Sequence, residues 1–211
     1  MVKRARGGDG TGDEATLKER ILRAAIAEFA VSGYHLTALR AIGERAGSNK
    51  PMIYYHFGGK DGLYLAAVRQ LLEETATRLH ETVDTDAPAL VRLRRYAEVY
   101  LDAFLLTSPM MGTVLREMNS LAGPVYDAIG DEHNRLIVVQ LRRILADGVE
   151  AGEFHRLDID GCISGLLSLL LGPVRFRHTA PQIAMRAALA QIMDYYAAGL
   201  VATGASVHQV P

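Results

Sequence analysis

The chain is poor in cysteine and lacks the common catalytic motifs. Its 211 residues include one cysteine, Cys162, so no intrachain disulfide can form and a reducing compartment is expected. Cys162 lies in an apolar run with no histidine near it in sequence, which favours an inert buried thiol over a redox sensor. The seven histidines show neither HExxH nor other metal-ligand spacing, and no glycine-rich phosphate loop or G-x-S-x-G elbow occurs. We therefore expect no metal, no cofactor and no enzyme activity, with a helical enzyme as the rival class.

Long hydrophobic runs are absent as well. The longest, residues 162–174, is shorter than the roughly 20 residues that a membrane-spanning helix needs, and polar residues and Pro173 interrupt it. The first 13 residues are polar and glycine-rich, without the apolar stretch of a signal peptide. These absences predict a cytoplasmic protein without a membrane partner.

Charge is nearly balanced overall but unevenly distributed. The net charge is −1, made up of +3 over residues 1–65 and −4 over residues 66–211. A basic front and an acidic rear suit a small phosphate-facing head on a body that does not touch nucleic acid.

Apolar residues recur at helical spacing from Glu14 to about Leu200, and no segment alternates with period two. We predict an all-α fold of nine or ten helices. Residues 1–13 are expected to be a disordered basic tail, with a DNA-contacting arm as the alternative. Residues 14–60 are expected to form a helix-turn-helix domain, and residues 61–211 a larger helical domain.

Residues 37–57 have the spacing of a helix-turn-helix motif. Gly33 ends the first helix, and Thr37 is expected to cap the second. A break at residues 47–49 leads to a third helix that Asn49 caps, with Pro51 in its first turn. In this motif the last helix enters the major groove of DNA. An ordinary αα-hairpin is the alternative that the pattern alone leaves open.

A longer set of residues narrows the choice between these two interpretations. The set comprises Phe29-Ala30, Gly33, Thr37, Ile42-Gly43, Ala46-Gly47, Asn49-Lys50, Ile53-Tyr54-Tyr55-His56-Phe57, Lys60 and Leu63. Through it, residues 17–65 resemble the DNA-binding head of the TetR family of bacterial repressors. The departures from the family pattern are Gly43 for Ala, Ser48 for Val, Asn49 for Ser and Pro51 for Gly. Ser48 is expected to weaken packing of the turn, and Pro51 removes an N–H that could have met a phosphate.

The resemblance implies a homodimer that reads a palindromic double-stranded DNA operator and leaves it when a small-molecule inducer binds the body. The protein would then be a ligand-responsive repressor, and a helical DNA-binding protein without a ligand switch is the alternative. By position, Thr37, Tyr54 and Lys60 would hold phosphates. The residues that would face bases or nearby backbone are Lys50, Met52, Tyr55 and His56.

The stretch 161–172 places small residues at helical spacing among leucines, so its helix is expected to be buried all round. Packing within one subunit and packing across a subunit interface both remain open, and we favour an interface formed with the last helix. The predicted interface residues are Gly165, Leu166, Leu169, Leu170, Leu189, Ile192, Met193 and Tyr196.

Aromatic residues and methionines gather between residues 96 and 133. Such a set is typical of a core, and also of the adaptable apolar lining of a pocket. The possible polar anchors are Arg116, Glu117, Asn119 and His133, although each by itself is more typical of an exposed helix residue. The candidate ligand-binding residues are Tyr96, Tyr100, Phe104, Met111, Leu115, Met118, Tyr126 and His133.

Overall fold

The computed structural model of the protein describes residues 10–83, 86–117, 123–175 and 182–201. Its α-helices are α1 (Gly10–Leu36), α2 (Leu39–Ala46), α3 (Lys50–Phe57), α4 (Lys60–Thr82), α5 (Ala89–Leu101), α6 (Pro109–Glu117), α7 (Pro124–His133), α8 (Val139–Glu150), α9 (Ile159–Arg175) and α10 (Gln182–Leu200). Two π-helical segments, Asp102–Thr107 and Asn134–Val138, continue α5 and join α7 to α8. Within these ranges the only β-pairing is an isolated bridge between Phe154 and Val201. The all-α prediction is confirmed.

The first helix begins earlier than predicted. It starts at Gly10, inside the expected disordered tail, because each residue added to an established helix gains a hydrogen bond at little further entropic cost. Residues 1–9 of that tail lie outside the described residues. At its other end the helix kinks at Gly33, whose φ of 71° and ψ of 179° are accessible essentially to glycine alone.

Helix α4 connects the front of the molecule to its rear. It packs on α1 and α3 near its start, and it also packs on α5 and α7. The predicted division at residues 60 and 61 falls at its first turn and stays a prediction. Helix α6 also lies against α1, so the front of the molecule rests on two helices of the rear.

One continuous apolar core runs from α1 to α10. In the front half, Phe29 meets Tyr64 of α4 edge to face, with ring centroids 4.8 Å apart. In the rear half, Glu153 accepts hydrogen bonds from the backbone N–H groups of Ala89 and Leu90 at 3.0 and 3.4 Å. This carboxylate therefore caps α5, which has no capping side chain of its own. Across the described ranges, no helix has the length and apolar character needed to cross a membrane.

Candidate nucleic-acid interface and its connection to the helical body

Helices α2 and α3 form a helix-turn-helix unit whose turn is set by local backbone chemistry. Gly47 ends α2 in the left-handed region, at φ 61°, which costs glycine no steric strain. Asn49 then accepts a hydrogen bond from the backbone N–H of Met52 at 3.1 Å, which confirms its predicted role as the N-cap of α3. Ile42 and Ile53 are fully buried, where α2 packs on α1 and α3 packs on α2 and α4. The unit is therefore rigid, and α3 has a fixed outward face.

Ser48, which stands where the family pattern has Val, affects the turn between α2 and α3. Its hydroxyl oxygen is buried and has no hydrogen-bond partner among the described residues. A buried hydroxyl without a partner costs stability, so the expectation that this residue weakens the turn agrees with the geometry.

The outward face of α3 carries aromatic and cationic side chains. Tyr54 and Tyr55 are 50% and 72% exposed, which is unusual for large rings that a core would normally take. Lys50 is exposed, and its Nζ lies 5.6 Å from the centre of the Tyr54 ring. Met52 and His56 are half-buried, and Nε2 of His56 has no partner among the described atoms. A face that combines a cation, phenolic hydroxyls and a helix N-terminus can bind phosphate and reach base edges.

Thr37 does not cap α2, contrary to our prediction. The N-cap residue is Ala38, and the Thr37 hydroxyl instead donates back to the carbonyl of Gly33 at 2.6 Å. The carbonyl groups freed by the kink at Gly33 need donors, and this hydroxyl supplies one. Thr37 is only 4% exposed, so its side chain serves the kink in this conformation, and its predicted phosphate contact remains a prediction.

Lys60 lies at the start of α4 and contacts the end of α1. Its Nζ donates to the carbonyl of His35 at 3.1 Å and lies 4.9 Å from the centre of the Tyr34 ring. Partial burial lowers the pKa of this amine, while the nearby carboxylates of Asp61 and Glu117 oppose that shift. The side chain is held in place at the predicted phosphate-contacting position.

Glu117, at the end of α6, was one of four possible polar anchors for the aromatic set, and it contacts α1 and α4. Its carboxylate accepts a hydrogen bond from the backbone N–H of Tyr34 at 2.9 Å and lies 3.5 Å from the hydroxyl of Tyr64. A Cβ on Gly33 would overlap this carboxylate, so any larger residue there would displace the Glu117 side chain from the Tyr34 N–H. The Tyr34 hydroxyl donates in turn to Asp61 of α4.

This network has a measurable electrostatic signature. Burial and the Glu117 charge together raise the pKa of Tyr64, and the hydrogen bond to Asp61 raises the pKa of Tyr34 to about 12. Residues 34 and 117 are 83 positions apart, and neither occurs in a motif that pairs them. Sequence patterns offered no signal for this contact.

A second hydrogen bond joins α6 to α1. The Thr113 hydroxyl lies 3.0 Å from the carbonyl oxygen of Ala30, and its alternative acceptor is the Pro109 carbonyl within its own helix, at 3.2 Å. Together with Glu117, this contact ties α6 to the last two turns of α1. Helix α6 is thus tied to the helix on which α2 packs.

Four of the eight predicted ligand-binding residues form a packed aromatic cluster in the body. Tyr100 stacks on Phe104 with ring centroids 4.3 Å apart, and the Tyr100 hydroxyl lies 3.2 Å from Nε2 of His133. The Tyr96 hydroxyl donates to the carbonyl of Ile137 at 3.3 Å. Burial lowers the pKa of His133 to about 4, so its ring is neutral near pH 7.

The remaining members of that prediction are dispersed. Met111 is buried, Leu115 is half-buried, and Tyr126 is 38% exposed on α7. Met118 lies outside the described residues. The structure therefore brings together Tyr96, Tyr100, Phe104 and His133, and leaves Tyr126 at the surface.

The predicted dimer interface divides into two groups. Leu166 and Leu170 are fully buried and Met193 is 5% exposed within a single chain, so these three belong to the subunit core. An apolar helix must first cover the core of its own subunit, and the interface prediction for these residues stays a prediction. Leu169 is 42% exposed, Gly165, Ile192 and Tyr196 are half-buried, and the side chain of Leu189 lies outside the described residues. Tyr195, which was not predicted, is 77% exposed on α10.

Comparison with known proteins agrees with this architecture. Residues 21–67 match the family described as "Bacterial regulatory proteins, tetR family". The chain is 33% identical over 103 residues to the HTH-type transcriptional activator FasR of Mycolicibacterium smegmatis, covering 47% of each chain. It is 35% identical over 85 residues to the HTH-type transcriptional regulator RutR of Escherichia coli K12, covering 40% of each. The chain thus spans less than half the length of these curated relatives.

Solved structures extend the likeness across the body. The transcriptional regulator FadR from Bacillus subtilis, in complex with stearoyl-CoA, aligns with a TM-score of 0.75 at 17% identity, covering 86% of this chain and 98% of that one. The ketosteroid transcriptional regulator KstR2 of Mycobacterium tuberculosis aligns with a TM-score of 0.65 at 24% identity, covering 95% and 100%. At these identities the likeness establishes a shared fold.

Proposed function

We propose that the chain is a member of the tetR family, whose family model its residues 21–67 match, and that it is a homodimeric repressor that binds a palindromic operator and leaves it when a small molecule binds. The observation that carries the proposal is the outward face of α3, where Lys50, Tyr54 and Tyr55 project from a capped and rigid helix. Exposed phenolic hydroxyls beside a lysine present hydrogen-bond donors and a positive charge to a polyanion such as DNA. Action on bacterial DNA would place the protein in the cytoplasm.

Dimerisation is supported by the apolar residues that α9 and α10 leave uncovered. Leu169 and Tyr195 are exposed although neighbouring residues on the same helices form the core. Two heads are also needed to read two half-sites about one helical turn, roughly 34 Å, apart. The interface is thus proposed on the outward side of α9 and α10.

Release by a small molecule is supported by the connection between body and head. Helix α6 is hydrogen-bonded to α1 through Thr113 and Glu117, and α4 extends from the recognition unit into the body. A ligand that favours another position of these helices would shift the population of heads able to bind DNA. The stearoyl-CoA complex of a regulator with the same fold supports an effector that includes a long hydrocarbon chain.

The test is selection of a binding sequence from random duplex DNA, followed by footprinting and a salt titration. We expect one sequence with two-fold symmetry. Lys50→Ala should reduce the salt slope by about one phosphate contact, and Tyr55→Ala should weaken binding at least about tenfold. Tyr126→Ala removes an exposed tyrosine from the body and serves as the matched control.

Selection of no sequence, or equal affinity for all duplexes, would refute the proposal in favour of an architectural DNA-binding protein. Measuring transcription from a promoter that overlaps the selected site distinguishes repression from activation. A drop on adding the protein supports repression, whereas a rise would mean that the protein is an activator.

A further inference from the structure

A cavity of about 470 Å³ lies where the head meets the body. Helix α1 forms one wall with Ile26, Ala27 and Ala30. Helix α4 contributes Leu71, the π-helical segment and the start of α6 line the cavity as well, and the cavity is open to solvent on one side. The cavity therefore lies between the head and the body, and its lining residue Ala103 is next in sequence to Phe104 of the aromatic cluster.

The size and lining of this cavity suit a small apolar molecule. Sites for small ligands are typically about 300–1,000 Å³ with mostly hydrophobic walls. The space exists because three of its lining residues, Ala27, Ala30 and Ala103, have very short side chains. Met110 and Met111 line the α6 side, and their flexible thioethers adapt to ligands of different shape.

The polar part of the lining carries an excess of positive charge. Arg23 of α1 and Arg78 of α4 both contribute to it, against one carboxylate, Glu74. Glu74 already accepts a hydrogen bond from Gln70 at 2.9 Å. Arg78 lies 3.9 Å from Asp102, at the limit of an ion pair, and Arg23 forms no ion pair with a described side chain. Two guanidinium groups beside an apolar cavity present the donors that a carboxylate accepts.

We propose that this cavity is the effector site of the regulator and that it takes an amphipathic anion, a hydrocarbon chain or ring bearing one carboxylate. The hydrocarbon would lie between α1 and α6, and the carboxylate would meet Arg23 and Arg78. This inference rests on the proposed function, because it names the effector class of a ligand-released repressor.

The position of the cavity gives such a ligand a direct effect on the head. Ala30, in its wall, is the residue whose carbonyl oxygen lies 3.0 Å from the Thr113 hydroxyl of α6. A molecule between α1 and α6 therefore acts on the same contact that ties the head to the body. Since coupling is reciprocal, operator DNA must weaken binding of this ligand by the same factor by which the ligand weakens operator binding.

The test is titration calorimetry of the full chain with decanoate and with decan-1-ol, which has the same chain length and no charge. Decanoate should bind at least about tenfold more tightly than decan-1-ol. Arg23→Gln and Arg78→Gln should each weaken decanoate binding about five- to tenfold and leave decan-1-ol unchanged. Ala27→Leu, which fills the cavity, should weaken both. Arg143→Gln alters an exposed arginine on α8 and is the control.

Operator affinity is then measured for each variant with and without decanoate. Weaker operator binding in decanoate, abolished by Ala27→Leu, supports the proposal. Decanoate binding that no cavity variant changes, no binding of either probe, or saturation without an effect on operator affinity overturns it. If no operator sequence can be selected, the proposed repressor function is refuted. The calorimetry then still shows whether decanoate binds in this cavity.

Discussion

Acidification should destabilise this protein through His133, whose ring is held neutral in the aromatic cluster. Burial lowers its pKa to about 4 in the folded chain, against an ordinary value of 6.5. The unfolded chain therefore binds the extra proton first, so this contribution to stability is complete above pH 6.5 and is lost as the pH falls toward 4. Between pH 7 and pH 5 the loss amounts to about 2 kcal/mol of the free energy of unfolding.

The assay is thermal or urea unfolding at pH 7 and pH 5, for the wild type and for His133→Asn. The variant replaces the imidazole with an amide that does not titrate, so it should lose about 2 kcal/mol less on acidification, whatever its stability at pH 7. For a chain of this size the difference corresponds to roughly 4–8 °C in the melting temperature. His80→Asn, at an exposed position on α4, should keep the wild-type dependence. Identical pH dependence in the wild type and in His133→Asn would refute the argument.

Three further outcomes follow from side chains already described. Glu117→Ala should lower the free energy of unfolding by about 2 kcal/mol, because it removes a charged acceptor from the Tyr34 N–H. Urea unfolding measures this free energy, and Glu98→Ala, at an exposed position on α5, should change it little. Ser48→Val should raise stability by about 1 kcal/mol, since it removes a buried hydroxyl without a partner, and a loss in the same assay would contradict this account of the turn. Leu169→Arg should give folded monomers in analytical ultracentrifugation, whereas Leu170→Arg should abolish folding; a folded Leu169→Arg dimer would argue against the proposed interface.

Much of the front domain could be predicted because its signals are local. The cap at Asn49 and the left-handed turn at Gly47 each depend on backbone groups within about four residues. The same holds for the exposed face of α3, which follows from the spacing of Ile53 between polar neighbours. Thr37 was the exception: it can donate forward to α2 or backward to Gly33, and the kink of α1 decided between them.

What the sequence by itself determined is the helical fold, the recognition unit and its likeness to a family of regulators, since helical periodicity and capping residues are encoded within one or two turns. Only the tertiary structure decided which side of each apolar helix faces the core and which side stays exposed. Helix α9 is leucine-rich on all sides, so its pattern could not separate the core position Leu170 from the exposed position Leu169. The contact between Glu117 and Tyr34, and the cavity beside it, likewise depend on how α1, α4 and α6 cross. Such crossings depend on side-chain volumes summed over distant segments, and no local pattern carries that information.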